Sequence, residues 1–480
     1  MEPFYGRDRL RLYGIFGLFA AILIAYSQTW AYTGDEGFHL LAAQLIHHGM
    51  RPWLDFCFPQ ALLNAYWNAG WMSVLGESWR VPHLVSAVFT AGAVVMLAEY
   101  VLRHFPLQGA WRLAVTIAAG LLAGLNAQVF EFGPLAQAYG LCLFLMVAAF
   151  RLAIREGIGS AAGAGLLASA AAASSLLAAP VAPVLLLWSF FHHAAHRWRR
   201  SAAYLAAAVL PWLPALWLLV QGPRQSWFNL VEYHARFRKL YWPETTQHDL
   251  EVMASWIDSG QALLLGALAL GGLVWTIRQS DWSRALKSQV CLCGWLALAM
   301  CAALGFAHPT FPRYYLLAAP IVAIPAAAGL YAAGTRLFAG GPAWPLAAVL
   351  FLTAAGLAKS VYERRDNYTW GDYEAIARKI ERATPAGGII FAGEIQYFLM
   401  HRRPPAGLEF YYDRLVPLPP AELALLHILP QAELDRRLAA GAFDTVYICQ
   451  DDDAYNKLGL PKLYRHREDI EDCALFWDRR

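Results

Sequence analysis

Apolar residues run in long blocks, not in stripes, over the first three quarters of the chain. A bilayer takes about 20 apolar residues as helix to span, and eleven blocks read as spans: 12–32, 82–102, 112–128, 134–150, 160–178, 180–195, 202–220, 260–277, 289–307, 314–333 and 343–360. Pro180, Pro183, Pro211, Pro214, Pro320 and Pro325 fall inside these blocks or at their ends, where a bundle tolerates them if neighbouring helices satisfy the freed carbonyls. A twelfth stretch, 59–76, also lacks charge. Lys and Arg arbitrate, because cytoplasmic loops carry the excess. Eleven spans from a cytoplasmic N-terminus place 14 basic residues inside and 8 outside, whereas a twelfth span changes this to 10 and 12. Residues 59–76, with Asn64, Tyr66, Trp67, Asn68 and Trp71, therefore read as an interfacial helix begun by Pro59. Two long loops, 33–81 and 221–259, lie outside, and so does the tail.

Beyond residue 361 the pattern changes. Residues 372–383 form an amphipathic helical pattern, 387–392 a short buried strand, 431–440 a second helix and 444–449 a second strand. That order predicts a small α/β domain. Composition sharpens the boundary. The chain is only 15% charged, against about a quarter in ordinary soluble domains. Residues 362–480 hold 36 charges in 119 positions, and the first 361 residues hold 37. The expected organisation is an all-α polytopic bundle over 1–361 followed by an extracytoplasmic domain over 362–480. The basic residues lie in short loops between apolar blocks and form no nucleic-acid-binding face. Arg7, Arg9 and Arg11 precede the first block, which reads as a retained span and not a cleaved leader.

No cysteine spacing suggests zinc. Cys142, Cys291, Cys293 and Cys301 sit in apolar blocks as small fillers, and Cys57 lies in a loop. Cys449 and Cys473 fall at strand positions of an external domain, where a disulfide is an option.

The densest polar signal is Thr33-Gly34-Asp35-Glu36-Gly37-Phe38-His39, at the exit of the first span. Thr33 and Glu36 have capping-box spacing for a surface helix whose apolar stripe is Phe38, Leu41, Ala42 and Leu45. Capping needs one acid only, which leaves Asp35 for chemistry at the mouth of a membrane cavity. His39 stands four residues after Asp35, on the same helix face. The pair leaves room for a divalent metal, although a polar-face histidine is the plainer reading for His39, as for His47 and His48.

The loop continues Gly49-Met50-Arg51-Pro52-Trp53-Leu54-Asp55-Phe56-Cys57-Phe58-Pro59-Gln60. This order resembles the GT-C superfamily of membrane glycosyltransferases: one span, an external Asp-Glu, a surface helix, then an acidic–aromatic–Pro stretch. It is most similar to the protein O-mannosyltransferases and the lipid A aminoarabinose transferases. Ala136-Gln137-Ala138-Tyr139-Gly140-Leu141, Ser174-Ser175-Leu176-Leu177-Ala178-Ala179-Pro180 and Phe311-Pro312-Arg313-Tyr314-Tyr315-Leu316-Leu317 resemble later family segments, and so does the Pro385-x-Gly-Gly-Ile-Ile-Phe of the tail. The order of these segments carries the likeness over nearly the whole chain.

The resemblance implies an inverting transfer of a sugar from a polyprenyl-phosphate donor to an acceptor hydroxyl, at the outer face of a bacterial inner membrane. It requires no cofactor. Asp35 would be the base, with Glu36 and Asp55 as further catalytic candidates. Relatives often carry a Lys beside the loop prolines to meet the lipid phosphate, whereas this chain has Gln60. That duty then falls to Arg51, to the cluster around Arg236 and Arg238, or to Arg313 with Tyr314, of which Arg313 is favoured. His39 and Glu131 are cavity candidates. Two other classes compete. A lipid-sugar transporter would show paired broken spans in matching halves, and none is visible. A lipid-linked glycan polymerase or ligase would use a large later loop with Arg and His, which 221–259 supplies through His234, Arg236, Arg238 and His248.

Overall fold

The computed structural model describes residues 2–107, 109–242, 244–338 and 341–480, apart from the side chains of residues 2–5, 7 and 33. All eleven apolar blocks are helical for most of their length. Among the described residues, six helices are long and apolar enough to cross a membrane: Asp8–Ser27, Arg80–His104, Arg197–Gln221, Gly260–Arg278, Arg284–Gly305 and Ala343–Glu363. Gly109–Gly124, Tyr139–Ala153, Ile158–Ser174 and Leu176–His192 are shorter apolar helices. The block at 112–128 is shortened by Asn126. Its side chain accepts from Gln128 N and Val129 N at 3.2 and 3.3 Å and starts a new helix, Ala127–Phe132.

Two compact units emerge, and neither follows chain order. The first comprises Met1–Gln28, Pro82–Leu213 and Glu244–Asp366. Its helices meet through small residues. A Cβ on Gly272 would lie 1.9 Å from Pro325 O and one on Gly329 2.0 Å from Leu268 O, so Gly260–Arg278 and Ala319–Leu337 touch backbone to backbone. Charge inside this unit is paired. Glu99, buried in Arg80–His104, meets Arg9 at 3.3 Å and Arg151 at 3.4 Å, and also binds Arg103 and the Tyr13 hydroxyl.

The second unit comprises Thr29–Val81, Pro214–Pro243 and Asn367–Arg480. The tail is thus built together with most of the two long loops, whereas the sequence placed its boundary at 361/362. Aromatic residues do the joining. Trp79 stacks on Trp370 at 4.4 Å and donates to Glu374 at 2.9 Å, while Trp30 bridges Thr369. Residues 244–259 part from their loop and form the Thr245–Asp258 helix of the first unit.

The tail's sheet contains β1 (Ile390–Phe391), β2 (Thr445–Ile448), β3 (Tyr464–Ile470) and β4 (Cys473–Arg479) in the order β1-β2-β4-β3. β1 runs parallel to β2, and the other pairs are antiparallel. The helices Trp370–Ala383 and Gln431–Ala439 and the strands β1 and β2 fall where the sequence placed them. The β3–β4 hairpin went unread because β3 (Tyr-Arg-His-Arg-Glu-Asp-Ile) is a charged edge strand with little apolar signal. Cys449 and Cys473 form a disulfide. Leu434, Leu438, Phe443, Val446, Tyr455, Leu460 and Phe476 fill the core behind it.

The interfacial helix is shorter than expected. It spans Leu63–Leu75, and Pro59 does not begin it. Phe58 N is held by Asn229 Oδ1 at 2.8 Å and Phe58 O by Trp53 Nε1 at 2.8 Å, so both backbone groups before Pro59 are committed away from a helix.

Candidate active site

The Asp-Glu segment opens the helix Thr33–His47 of the second unit, whose N-cap residue is Tyr32. The predicted capping box is therefore corrected: the helix starts one residue too early for Thr33 to cap it, and the Thr33 side chain lies outside the described residues. Glu36 N donates to Tyr32 O at 3.3 Å, and the Glu36 side chain faces inward, 0% exposed. Asp35 is half-buried in the first turn. Two glycines let the tail close on this turn. Tyr412 donates to Gly34 O at 3.2 Å, and a Cβ on Gly37 would sit 3.2 Å from Ile395 N.

His39 is buried against Phe38 and Phe58, with ring centroids at 4.6 and 5.9 Å. Burial lowers its pKa to about 4, although Asp35 opposes the shift. At neutral pH its imidazole is uncharged, so Asp35 and His39 form no ion pair.

The next loop is tightly constrained. Trp53 adopts a left-handed φ of 70° and is buried at its centre. Arg51 clasps Asp55 through contacts of 2.8 and 3.1 Å and also donates to Gln221 at 3.2 Å. The Arg51 hydrogen bonds hold the Asp55 carboxyl below its ordinary range. Gln60 is half-buried, with its backbone N donating to Phe58 O at 2.7 Å.

Asn229 is the residue that fastens this loop, and nothing in the sequence marked it. It sits in a π-helix, Phe228–Phe237, accepts from Phe58 N at 2.8 Å and from Cys57 Sγ at 3.5 Å, and donates to Gln225 O. In the same helix, burial lowers the His234 pKa to about 4, and the Arg238 charge adds to the effect. Arg236 pairs with Glu232 at 3.1 Å, and Glu232 also pairs with Arg224 at 2.5 Å.

The tail contributes acids that sequence reasoning missed. Asp413 and Glu409 are 1% and 5% exposed. Burial pushes the Asp413 carboxyl well up, although Cys57 and Arg414 oppose it, and it brings Glu409 to about 7. Glu394 accepts from Tyr411 N at 2.6 Å, and the Arg414 guanidinium lies 4.4 Å over the Tyr411 ring. Gly34, Tyr373, Glu394, Tyr411, Tyr412 and Arg414 share a cavity of about 310 Å³. Flat rings beside a carboxylate and a guanidinium suit a polar, ring-shaped ligand. No hydropathy or spacing signal singled these residues out from an ordinary α/β core.

Three candidates lie in the first unit. Glu131, 0% exposed, meets Arg364 Nε at 3.1 Å. Burial pushes its carboxyl up, while Arg364 pulls the other way. Arg313 and Tyr314 occupy the Pro312–Leu317 turn, with the guanidinium 4.2 Å over Phe311 and 5.6 Å over Tyr314. Asp249 fixes the approach to this turn, accepting from Thr310 N at 2.7 Å and pairing with His308 Nδ1 at 2.5 Å. Thus Asp35, Glu36, His39, Arg51, Asp55, Gln60, Arg236 and Arg238 belong to one unit, and Glu131, Arg313 and Tyr314 to the other.

No family model matches the chain, nor does any curated protein. Solved structures do. The chain superposes on ArnT from Cupriavidus metallidurans, crystallised with undecaprenyl phosphate, with a TM-score of 0.67 and 13% identity over 96% of this chain and 97% of that one. The apo form of that protein gives a TM-score of 0.67 and 12% identity over the same shares. The chain therefore has the GT-C fold of the lipid A aminoarabinose transferase ArnT.

Proposed function

We propose that this chain is an integral membrane glycosyltransferase that moves a sugar from a polyprenyl-phosphate donor to an acceptor hydroxyl on the extracytoplasmic face. One observation carries the reading. A fold shared end to end with ArnT, whose crystals hold undecaprenyl phosphate, coincides with an Asp-Glu segment at the end of the first span.

The chemistry asks for few groups. Sugar transfer passes through an oxocarbenium-like state. Asp35 accepts the acceptor's hydroxyl proton as that oxygen forms a bond to the anomeric carbon. The anomeric C–O bond to phosphate breaks at the same time, which inverts the centre and releases the polyprenyl phosphate. The leaving phosphate needs a cation, and Arg313 is the candidate, because a guanidinium binds phosphate bidentately and the Phe311 and Tyr314 rings position it at the Pro312–Leu317 turn that opens a late span. Arg51 and Arg236 are weaker candidates, since Asp55 and Glu232 already occupy them. Glu36 lies wholly buried one residue from Asp35, its backbone N donating to Tyr32 O at 3.3 Å.

Purified chain in detergent, given radiolabelled polyprenyl-phosphate sugar and an envelope extract, should move label to a lipid-free or lipid A fraction and release polyprenyl phosphate. Label that stays on the donor under these conditions, yet crosses the bilayer in proteoliposomes, would replace transfer with transport.

A further inference from the structure

Outside the Asp35 region, the second unit carries a cluster of imidazoles around one carboxylate. His47 is the last residue of Thr33–His47 and His48 is its C-cap. Glu77 follows Leu63–Leu75 by one turn, delivered by Gly76 at φ 86°. His48 Nε2 contacts Glu77 Oε1, and His47 Nε2 lies 3.6 Å from the same oxygen. One ligand atom from each of the three residues falls within 4.8 Å of the other two.

The surrounding hydrogen bonds orient these atoms. Ser73 donates its hydroxyl proton to Ala69 O at 2.9 Å, so at 3.0 Å its oxygen accepts from His47 Nδ1–H. That fixes the tautomer of His47 and leaves a lone pair on Nε2, aimed at a carboxylate oxygen. The other carboxylate oxygen, Oε2, takes His401 Nδ1 at 2.8 Å and Gln44 Nε2 at 2.6 Å. Gln44 is itself anchored on Phe398 O at 3.2 Å. His401 reaches Glu77 from a left-handed backbone, φ 52°, a conformation that costs a non-glycine residue free energy. Two imidazole nitrogens and a carboxylate oxygen thus converge on one point, a set that a single cation can take up together. The carbonyl end of Thr33–His47 adds its own negative potential.

We propose that His47 Nε2, His48 Nε2 and Glu77 Oε1 bind one zinc-class dication, leaving a fourth position to water. Two imidazoles with one carboxylate are a zinc-type set, whereas calcium and magnesium call for oxygen ligands. Ser73, Gln44 and His401 act as orienting groups, the usual company of metal-bound imidazoles and carboxylates. The site ties the end of one surface helix to the end of the next. It lies at the opposite end of the Thr33–His47 helix from Asp35.

The test uses full-length protein in detergent, stripped by a chelator and titrated with Zn²⁺ by calorimetry and against a chromophoric chelator. One equivalent should bind saturably, excess Mg²⁺ should not displace it, and melting temperature should rise with Zn²⁺. Glu77→Gln and His48→Ala should each abolish the saturable site. Ser73→Ala, which removes no ligand, should weaken it by about 10–100-fold while matching the wild-type melt without metal. If Glu77→Gln or His48→Ala fails to fold, Ser73→Ala decides. Absence of saturable uptake by wild type, an unchanged isotherm in Glu77→Gln, or unaltered affinity in Ser73→Ala would each overturn the site. Hydrogen bonding around Glu77 alone would then account for the cluster.

Discussion

Arg51 and Asp55 bind each other at four residues' separation, with Arg51 N donating to Asp55 Oδ2 at 2.7 Å and the guanidinium clasping both carboxylate oxygens. The pair closes the turn in which Trp53 takes its left-handed conformation. A carboxylate so occupied, with its pKa held down, is a poor proton acceptor.

Asp35→Asn and Asp55→Asn should therefore behave differently. Loss of a general base costs about 10²–10⁴ in rate. Asp35→Asn should express as wild type, retain donor lipid and lose turnover by that factor. Asp55→Asn should keep most of its turnover and lose thermal stability. Single-turnover transfer beside a melting curve checks both, and wild-type turnover in Asp35→Asn would move the base elsewhere.

For the leaving phosphate, Arg313→Lys keeps charge but gives up the planar fork and the stacking on Phe311. Turnover should drop by at least about tenfold, the factor that goes with 1.4 kcal/mol of lost transition-state binding, while Arg236→Lys should change little. Initial rates at saturating donor separate the two variants.

Stability should also depend on pH through Glu409. Burial raises its folded pKa from 4.5 to about 7, so the folded state holds its proton after the unfolded chain has released it. The contribution is present in full below about 4.5, falls as pH rises toward 7 and is gone above. Glu409→Gln keeps an oxygen for Gly407 N, which now donates at 2.7 Å. That variant should flatten the decline in melting temperature between pH 4.5 and 7 and melt higher than wild type at pH 8. Parallel pH profiles for the two proteins would contradict this origin.

Orientation is open to a direct measurement. The Lys and Arg distribution predicts a cytoplasmic N-terminus and an external tail. A reporter that works only in the cytoplasm, fused after Arg480, should be silent, and activity there would invert the whole topology.

Much of the fold was legible in the sequence because spans and amphipathic helices depend on local pattern. Pro59 shows where that reasoning ends. Its fixed φ suits a helix start, but Asn229 and Trp53, distant in sequence or held in an unusual conformation, settle the local backbone instead. The same holds for the site. Asp35 and Glu36 stand out because an Asp-Glu pair directly after an apolar block is conspicuous. Glu394, Glu409 and Asp413 do not, because burial is what makes them unusual and it arises only when segments hundreds of residues apart close together. Thr33 reads as a cap by spacing, whereas the helix begins one residue sooner than that spacing requires.

The second unit also sets an order of events during synthesis. Its first piece, Thr29–Val81, emerges early, but Trp79 and Gly37 must wait for Trp370 and Ile395, some 290 to 360 residues later, before they find their partners. The sheet closes later still, since the strand that separates β2 from β3, Cys473–Arg479, is the last of its strands to be made. Asp35 is thus among the first polar groups to be made and among the last to be framed. A ribosome that stops before Cys473 leaves β2 without its antiparallel neighbour and Cys449 without its disulfide partner. The nascent second unit is then unfinished, and the frame around Asp35 is completed only once Cys473–Arg479 is made.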